Sequence, residues 1–137
     1  MGFQLPESNL TLAEILSANE FNTAGIISAV VLDSKYGISQ GFDTYNDKFE
    51  EAHWAVDVSE RKGGEATRFA LERLEKQKED KSFLFLHYYD PHYDYVPPEP
   101  FASQFPGNPY AGEIAYTDHC IGQVIGKLKA LGIYDST

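Results

Sequence analysis

Cysteine, basic charge and long apolar runs are all scarce in this sequence, and each shortage excludes something. The one cysteine, Cys120, rules out an internal disulfide and says nothing about redox compartment. Lys and Arg total 11 against 21 Asp and Glu, a formal charge of −10, which argues against a general nucleic-acid or anionic-membrane surface. An anionic substrate would need a local positive site. No apolar run approaches the roughly 18 residues of a membrane span, and no basic segment followed by an apolar one opens the chain as a secretory signal would. Repeats, low-complexity tracts and interdomain linkers are missing too. What is present suffices for one core, since a chain of 137 residues can bury roughly 70% of the surface it exposes when unfolded.

The densest combination of apolar and chemically capable residues is Phe83–Pro100, FLFLHYYDPHYDYVPPEP. Phe83–Leu86 is too short for a helix and follows a charged segment, so it is expected to be a largely buried strand. Pro91 ends it, and Pro97, Pro98 and Pro100 keep the next segment extended. His92 is therefore expected on a stiff loop just past a strand's carboxyl end, where open α/β sheets bind ligands.

Elsewhere the local signals alternate between helix and strand. Thr11 and Glu14 form a capping box for a helix with Leu12, Ile15 and Leu16 on its apolar face, and Leu10 is placed to staple to Ile15. Thr23–Val31 is a β-branched run long enough for a buried strand, and Leu32–Tyr45 reads as a glycine-punctuated connection with a helical turn near Asp33–Tyr36. Asn46–Arg61, with carboxylates around His53 and Trp54, matches no metal-ligand spacing and reads as a solvated acidic loop. Glu65–Glu79 has helical period, with Ala66, Phe69, Ala70 and Leu74 inward. Gly112–Leu131 is an amphipathic helix whose stripe is Ile114, Ile121, Val124, Ile125 and Leu128. Asp118 falls on that stripe and would need partners, Cys120 reads as a small buried hydrophobe, and Gly132 stops the helix. Two buried strands with covering helices make an incomplete sheet, so the chain is expected to be an excerpt of a larger α/β domain.

Several segments, taken in order, carry a resemblance. Leu5-Pro6 with Thr11-Leu12-Ala13-Glu14 comes first, followed by Phe21-Asn22-Thr23-Ala24 and Gly41-Phe42-Asp43. Phe83–His92 ends in Asp90-Pro91-His92, and Tyr110–Thr137 holds Tyr-Ala-Gly-Glu-Ile-Ala-Tyr-Thr-Asp and Gly-Ile-Tyr-Asp-Ser-Thr. In this order and spacing they resemble the middle of a sulfatase, in the alkaline phosphatase-like superfamily, over nearly the whole chain. The resemblance implies a partial alkaline phosphatase-like α/β sheet with covering helices, residues 1–137 being a central segment incomplete at both ends.

It also implies a chemistry: hydrolysis of a sulfate-ester substrate through a formylglycine beside a divalent metal, usually calcium. The departures matter here. Cys120 is followed by Ile121-Gly122-Gln123-Val124 and so lacks the proline and arginine of the formylglycine motif. No catalytic residue and no metal ligand carries over; both are expected outside this chain, and the chain alone is expected to be inactive. His92 matches the imidazole that hydrogen-bonds the substrate sulfate, and a fixed donor of this kind contributes roughly 3 kcal/mol to transition-state stabilisation. His87 is a candidate second donor or supporting group, the alternative being a packed residue bonded beneath the loop. Asp94 stands where the family often has proline, and Glu20 replaces a common glycine at a helix end. Family members are often exported, so a periplasmic or secreted location is open for the complete enzyme. Two other readings stay open: a phosphoesterase or phosphonate hydrolase of the same superfamily, and a non-catalytic interaction or metal-binding module using His53, His87, His92 and His119.

Overall fold

A computed structural model of the chain describes residues 4–49, 60–76 and 81–137. Its elements in chain order are α1 (Leu12–Ser17), β1 (Asn22–Ile26), β2 (Thr44–Asn46), α2 (Gly63–Lys76), β3 (Ser82–Leu86), α3 (Phe101–Gln104) and α4 (Pro109–Ala130). The strands form a parallel sheet in the order β2-β1-β3. None of the described helices is long and apolar enough to cross a membrane.

The local signals at the helix ends operate as anticipated. Thr11 Oγ1 accepts from the Glu14 N–H at 3.1 Å while Glu14 Oε2 accepts from the Thr11 N–H at 2.8 Å, so two orphan donors of α1 are satisfied reciprocally. Leu10 and Ile15 both remain exposed, leaving the capping box as the device that starts α1. Glu20 takes the left-handed conformation at φ 66°, which a non-glycine residue adopts at a local cost. At the other end of the chain, Gly132 at φ 72° lets the Ile133 and Gly132 N–H groups return to the carbonyls of Leu128 and Lys129.

The central strand is shorter than its apolar run. Thr23–Val31 is paired only as far as Ile26; Ala29 then makes an isolated bridge to Glu60, and Val30–Leu32 is a single 3-10 turn. Ile27, Ser28 and Ala29 stay buried nonetheless, so the composition reports burial rather than strand pairing.

The third strand, β2, straddles the end of the stretch expected to be a connection and the start of the one expected to be a solvated loop. Its three residues carry little apolar signal, and it exists because β1 offers it a glycine. The Tyr45 ring lies so close over Gly25 that an added Cβ would clash with it, and the Tyr45 hydroxyl donates to Leu32 O at 2.7 Å. Burial pushes that phenol up to about 12. Upstream, Asp43 of the Gly-Phe-Asp segment locks onto β1: its Oδ2 accepts from the Thr23 N–H at 2.7 Å, and Thr23 Oγ1 donates to Gly41 O at 2.9 Å.

The two faces of the sheet differ. Ile26, Ala66 and Ala70 form a core between sheet and helices, joined by Leu84, Leu86, Tyr88, Phe69 and Val124. On the opposite face, the alternate β3 side chains Phe83 and Phe85 stack with Phe42 at 5.9 and 6.4 Å. Phe85 is 36% exposed, so β3 is half-buried rather than largely buried.

α4 also turns a different side inward from the one anticipated. Ile114, Ile121 and Asp118 are exposed, whereas Gly112, Glu113 and Cys120 are buried, with Val124 packed on the core. Asp118 is therefore a solvated carboxylate. The buried carboxylate is Glu113, because α4 packs along α2 and meets the polar first turn of that helix.

Candidate functional site

β1 and β3 end side by side, and the residues following them build the site. The His87 N–H donates to Ile26 O at 2.9 Å, extending the ladder by one residue. His87 is then fixed twice by Ser28, whose Oγ donates to His87 O at 2.6 Å and whose N–H donates to Nδ1 at 3.3 Å. Burial pushes the imidazole down, favouring the neutral ring with its proton on Nε2. His87 is thus the packed, hydrogen-bonded histidine, with Nε2–H as its remaining donor.

His92 is placed differently. It lies beyond Pro91 on an exposed loop, its side chain 51% exposed, with its ring stacked on Tyr89 at 4.3 Å and 22°. Glu60 Oε1 lies 3.7 Å from Nδ1. Tyr89 in turn sits 6.0 Å from the His87 ring, so one aromatic ladder links the two histidines through Tyr89. The structure thereby brings both sequence-predicted residues to the same end of the sheet. Asp94 is exposed on the same loop. His119 lies apart, on α4 against Phe101 at 5.5 Å and Gln123 at 2.7 Å. His53 and most of the acidic stretch around it, like residues 77–79 of the expected helix, lie outside the described residues.

Three charged residues around this end of the sheet escaped the sequence reading. Arg61, expected in a solvated loop, has a fully buried guanidinium. Its Nη1 donates to Ile27 O at 2.7 Å and Asn46 O at 3.1 Å, its Nη2 to Asn46 Oδ1 at 2.7 Å and Lys48 O at 2.6 Å, and its Nε to Glu65 Oε1 at 3.2 Å. It ties the exits of β1 and β2 to the start of α2.

Asp90 is 5% exposed and lies against Gly63, where an added Cβ would meet Oδ2 at 2.8 Å. Burial pushes its carboxyl up, and the neighbouring Gly63 N–H and Lys62 offset only part of that. Glu113 is 1% exposed; its Oε1 accepts from the Val96 N–H at 3.0 Å and lies 3.5 Å from Lys62 Nζ. Burial raises Glu113 as well, opposed by Val96 and Lys62 and reinforced by Asp90. Both Asp90 oxygens and Glu113 Oε2 lack a hydrogen-bond partner among the described residues. Asp90 and Glu113 both sit inside the family-like segments. The available signal for Glu113 was a second stripe, Glu113, Tyr116, Cys120 and Val124, spaced by three and four residues.

Cys120 is buried beside Thr67 and Tyr116, and burial pushes its thiol up, the opposite of an activated nucleophile. Among the described residues no group of three or more His, Cys, Asp or Glu side chains is placed to hold a metal ion. Cys120, lacking the proline and arginine of the motif and buried, does not fit the formylglycine that the resemblance implies.

The sulfatase family's sequence model matches residues 1–137. The chain belongs to the sulfatase family. Solved structures carry the same fold. A protein in the alkaline phosphatase superfamily from Vibrio parahaemolyticus matches with TM-score 0.64 and 19% identity over 88% of this chain and 32% of its own. Ps i-CgsB matches with TM-score 0.72 and 18% identity over 98% of this chain and 40% of its own. The same protein in complex with k-i-k-neocarrahexaose gives TM-score 0.66 and 19% identity over 97% and 41%. No curated protein matches by sequence. This sulfatase-family chain thus spans well under half the length of the solved chains it matches.

Proposed function

We propose that residues 1–137 are a central segment of a sulfatase-like catalytic domain whose complete form hydrolyses a sulfate ester, and that His92 is the substrate-sulfate donor of this segment. The nucleophile and the metal, formylglycine and calcium in this reading, belong to residues outside the chain. What this chain supplies is anion recognition. The observation that carries the reading is the contrast between the two histidines. His87 is held by Ser28 at Nδ1 and at its carbonyl, whereas His92 is half-exposed, with the Tyr89 stack and the Glu60 carboxylate beside it among the described residues. With Nδ1 turned to Glu60, His92 has Nε2 left to donate to an anionic oxygen, a preorganised donor. His87 supports from below, its Nε2–H directed by the Ser28 contact at the other nitrogen.

Titrating the protein with sodium sulfate, observed through the histidine ring NMR signals, tests this. Saturable movement of the His92 resonances is expected, with a smaller movement of His87 and none of His119. His92→Ala should remove the saturable behaviour. Equal, linear drift of all the histidines would count against the site. Incubation with an aryl sulfate and calcium should give no turnover, and metal-dependent release of the aryl alcohol would overturn the assignment of the nucleophile to residues outside this chain.

A further inference from the structure

The loop bearing His92 has little to hold it, its residues from His92 to Val96 all being exposed. Among the described residues, one hydrogen bond engages the backbone N–H groups from His92 to Val96, the bond from Val96 to Glu113. The acceptor comes from the first turns of α4, which meets the loop at two consecutive residues. Gly112 brings the helix so close to Pro97 that an added Cβ would lie 2.8 Å from Cγ. Glu113 then takes the Val96 N–H. At its other end the loop is rooted by Asp90, buried against Gly63 at the start of α2.

Packing alone does not call for a carboxylate at position 113. The side chain is 1% exposed and one of its oxygens has no partner among the described residues, a costly state that an apolar residue of similar volume would avoid. The bond to Val96 is what the carboxylate adds, because a charged acceptor makes a stronger hydrogen bond than a neutral one. Lys62 Nζ, 3.5 Å from the same oxygen, balances the charge.

We infer that Glu113 is a positioning residue for His92: by clamping Val96 it fixes the loop in the geometry that presents the imidazole to an anionic oxygen. This rests on the reading of His92 as the sulfate donor, so the test uses two readouts. The Tyr89 ring, stacked on His92 at 4.3 Å, shifts the His92 ring protons upfield in the protein without any ligand, and that shift reports loop position alone. Sulfate affinity reports the consequence.

Glu113→Ala should lose most of the upfield shift and weaken sulfate about tenfold, the size expected for one hydrogen bond to a charged acceptor. Glu113→Gln, whose amide oxygen still accepts from Val96 but as a weaker, neutral acceptor, should keep more of the shift than Glu113→Ala. Val96→Pro removes the same bond from the exposed side without touching the core, and decides the matter if Glu113→Ala fails to fold. An unchanged His92 shift in folded Val96→Pro, or a glutamine variant that behaves like alanine, would overturn the inference. Should the wild type not bind sulfate, the reading of His92 falls, while the ring-current shift still decides whether Glu113 positions the loop.

Discussion

Two buried charged clusters flank the first turn of α2, and they differ in how completely their polar atoms are satisfied. On one side Arg61 donates through all three of its nitrogens to groups from β1, β2 and α2, and its guanidinium lies 5.0 Å from the Phe69 ring. On the other side Asp90 and Glu113 leave three buried oxygens without partners among the described residues. A satisfied network rigidifies, and a partly satisfied one holds a cost that some other duty must justify. The Arg61 cluster belongs to the framework. The carboxylate pair belongs to the His92 loop, rooting it at Asp90 and clamping it at Val96.

Removing the satisfied cation should have the largest effect. Arg61→Met leaves the Ile27 and Lys48 carbonyls without their donor and removes a second donor from Asn46 O, and denaturant unfolding should show a loss of about 3–5 kcal/mol. A loss below about 1 kcal/mol would erase the contrast between the clusters.

An intermediate effect is expected at Gly63. Alanine there gains helix propensity worth up to about 1 kcal/mol, but its Cβ meets Asp90 Oδ2 at 2.8 Å and Tyr88 Cδ1 at 3.3 Å. Asp90 is buried and Tyr88 backs the same position, so the clash should win, with a net loss of about 1–3 kcal/mol. Repeating Gly63→Ala in an Asp90→Ala background sharpens the point: most of the loss should vanish there, and a loss that persists in full would place the strain elsewhere.

The smallest change is expected at Asp90 itself, and it has the opposite sign. Its folded carboxyl lies above the ordinary value of 3.8 because burial outweighs Gly63 and Lys62. The folded state therefore holds the proton more tightly than the unfolded chain. The stability this contributes is fully present below the unfolded value and is lost as pH rises through the raised folded one. Asp90→Asn should flatten the stability profile as pH rises above about 4 and gain on the order of 1 kcal/mol at neutral pH. Thermal melts across that range check it, and a steeper profile in the variant would reverse the assignment.

The legible parts of this fold were those governed by neighbours in sequence. Thr11 and Glu14 are three residues apart, and Gly132 needs only the preceding turn of α4, so spacing alone was enough. His92 was placed correctly past a strand's end because Pro91 and the apolar run before it are local features. The inward face of α4 was misread because isoleucines mark a stripe only when something covers them, and no described element covers Ile114 or Ile121. β2 was missed because its pairing depends on Gly25, nineteen places before Thr44 in the chain, leaving room for the Tyr45 ring.

By itself the sequence determined the caps and the position of His92 after β3, since each depends on residues within one or two turns of each other, and the family resemblance, since that rests on the order of short segments along the chain. Only the tertiary structure decided that Arg61 is a buried tie, that His87 is occupied by Ser28, and that Glu113 rather than Asp118 is the buried carboxylate of α4. A charge costs little in water and much inside a protein unless it finds partners, and those partners come from segments that sequence spacing does not bring together.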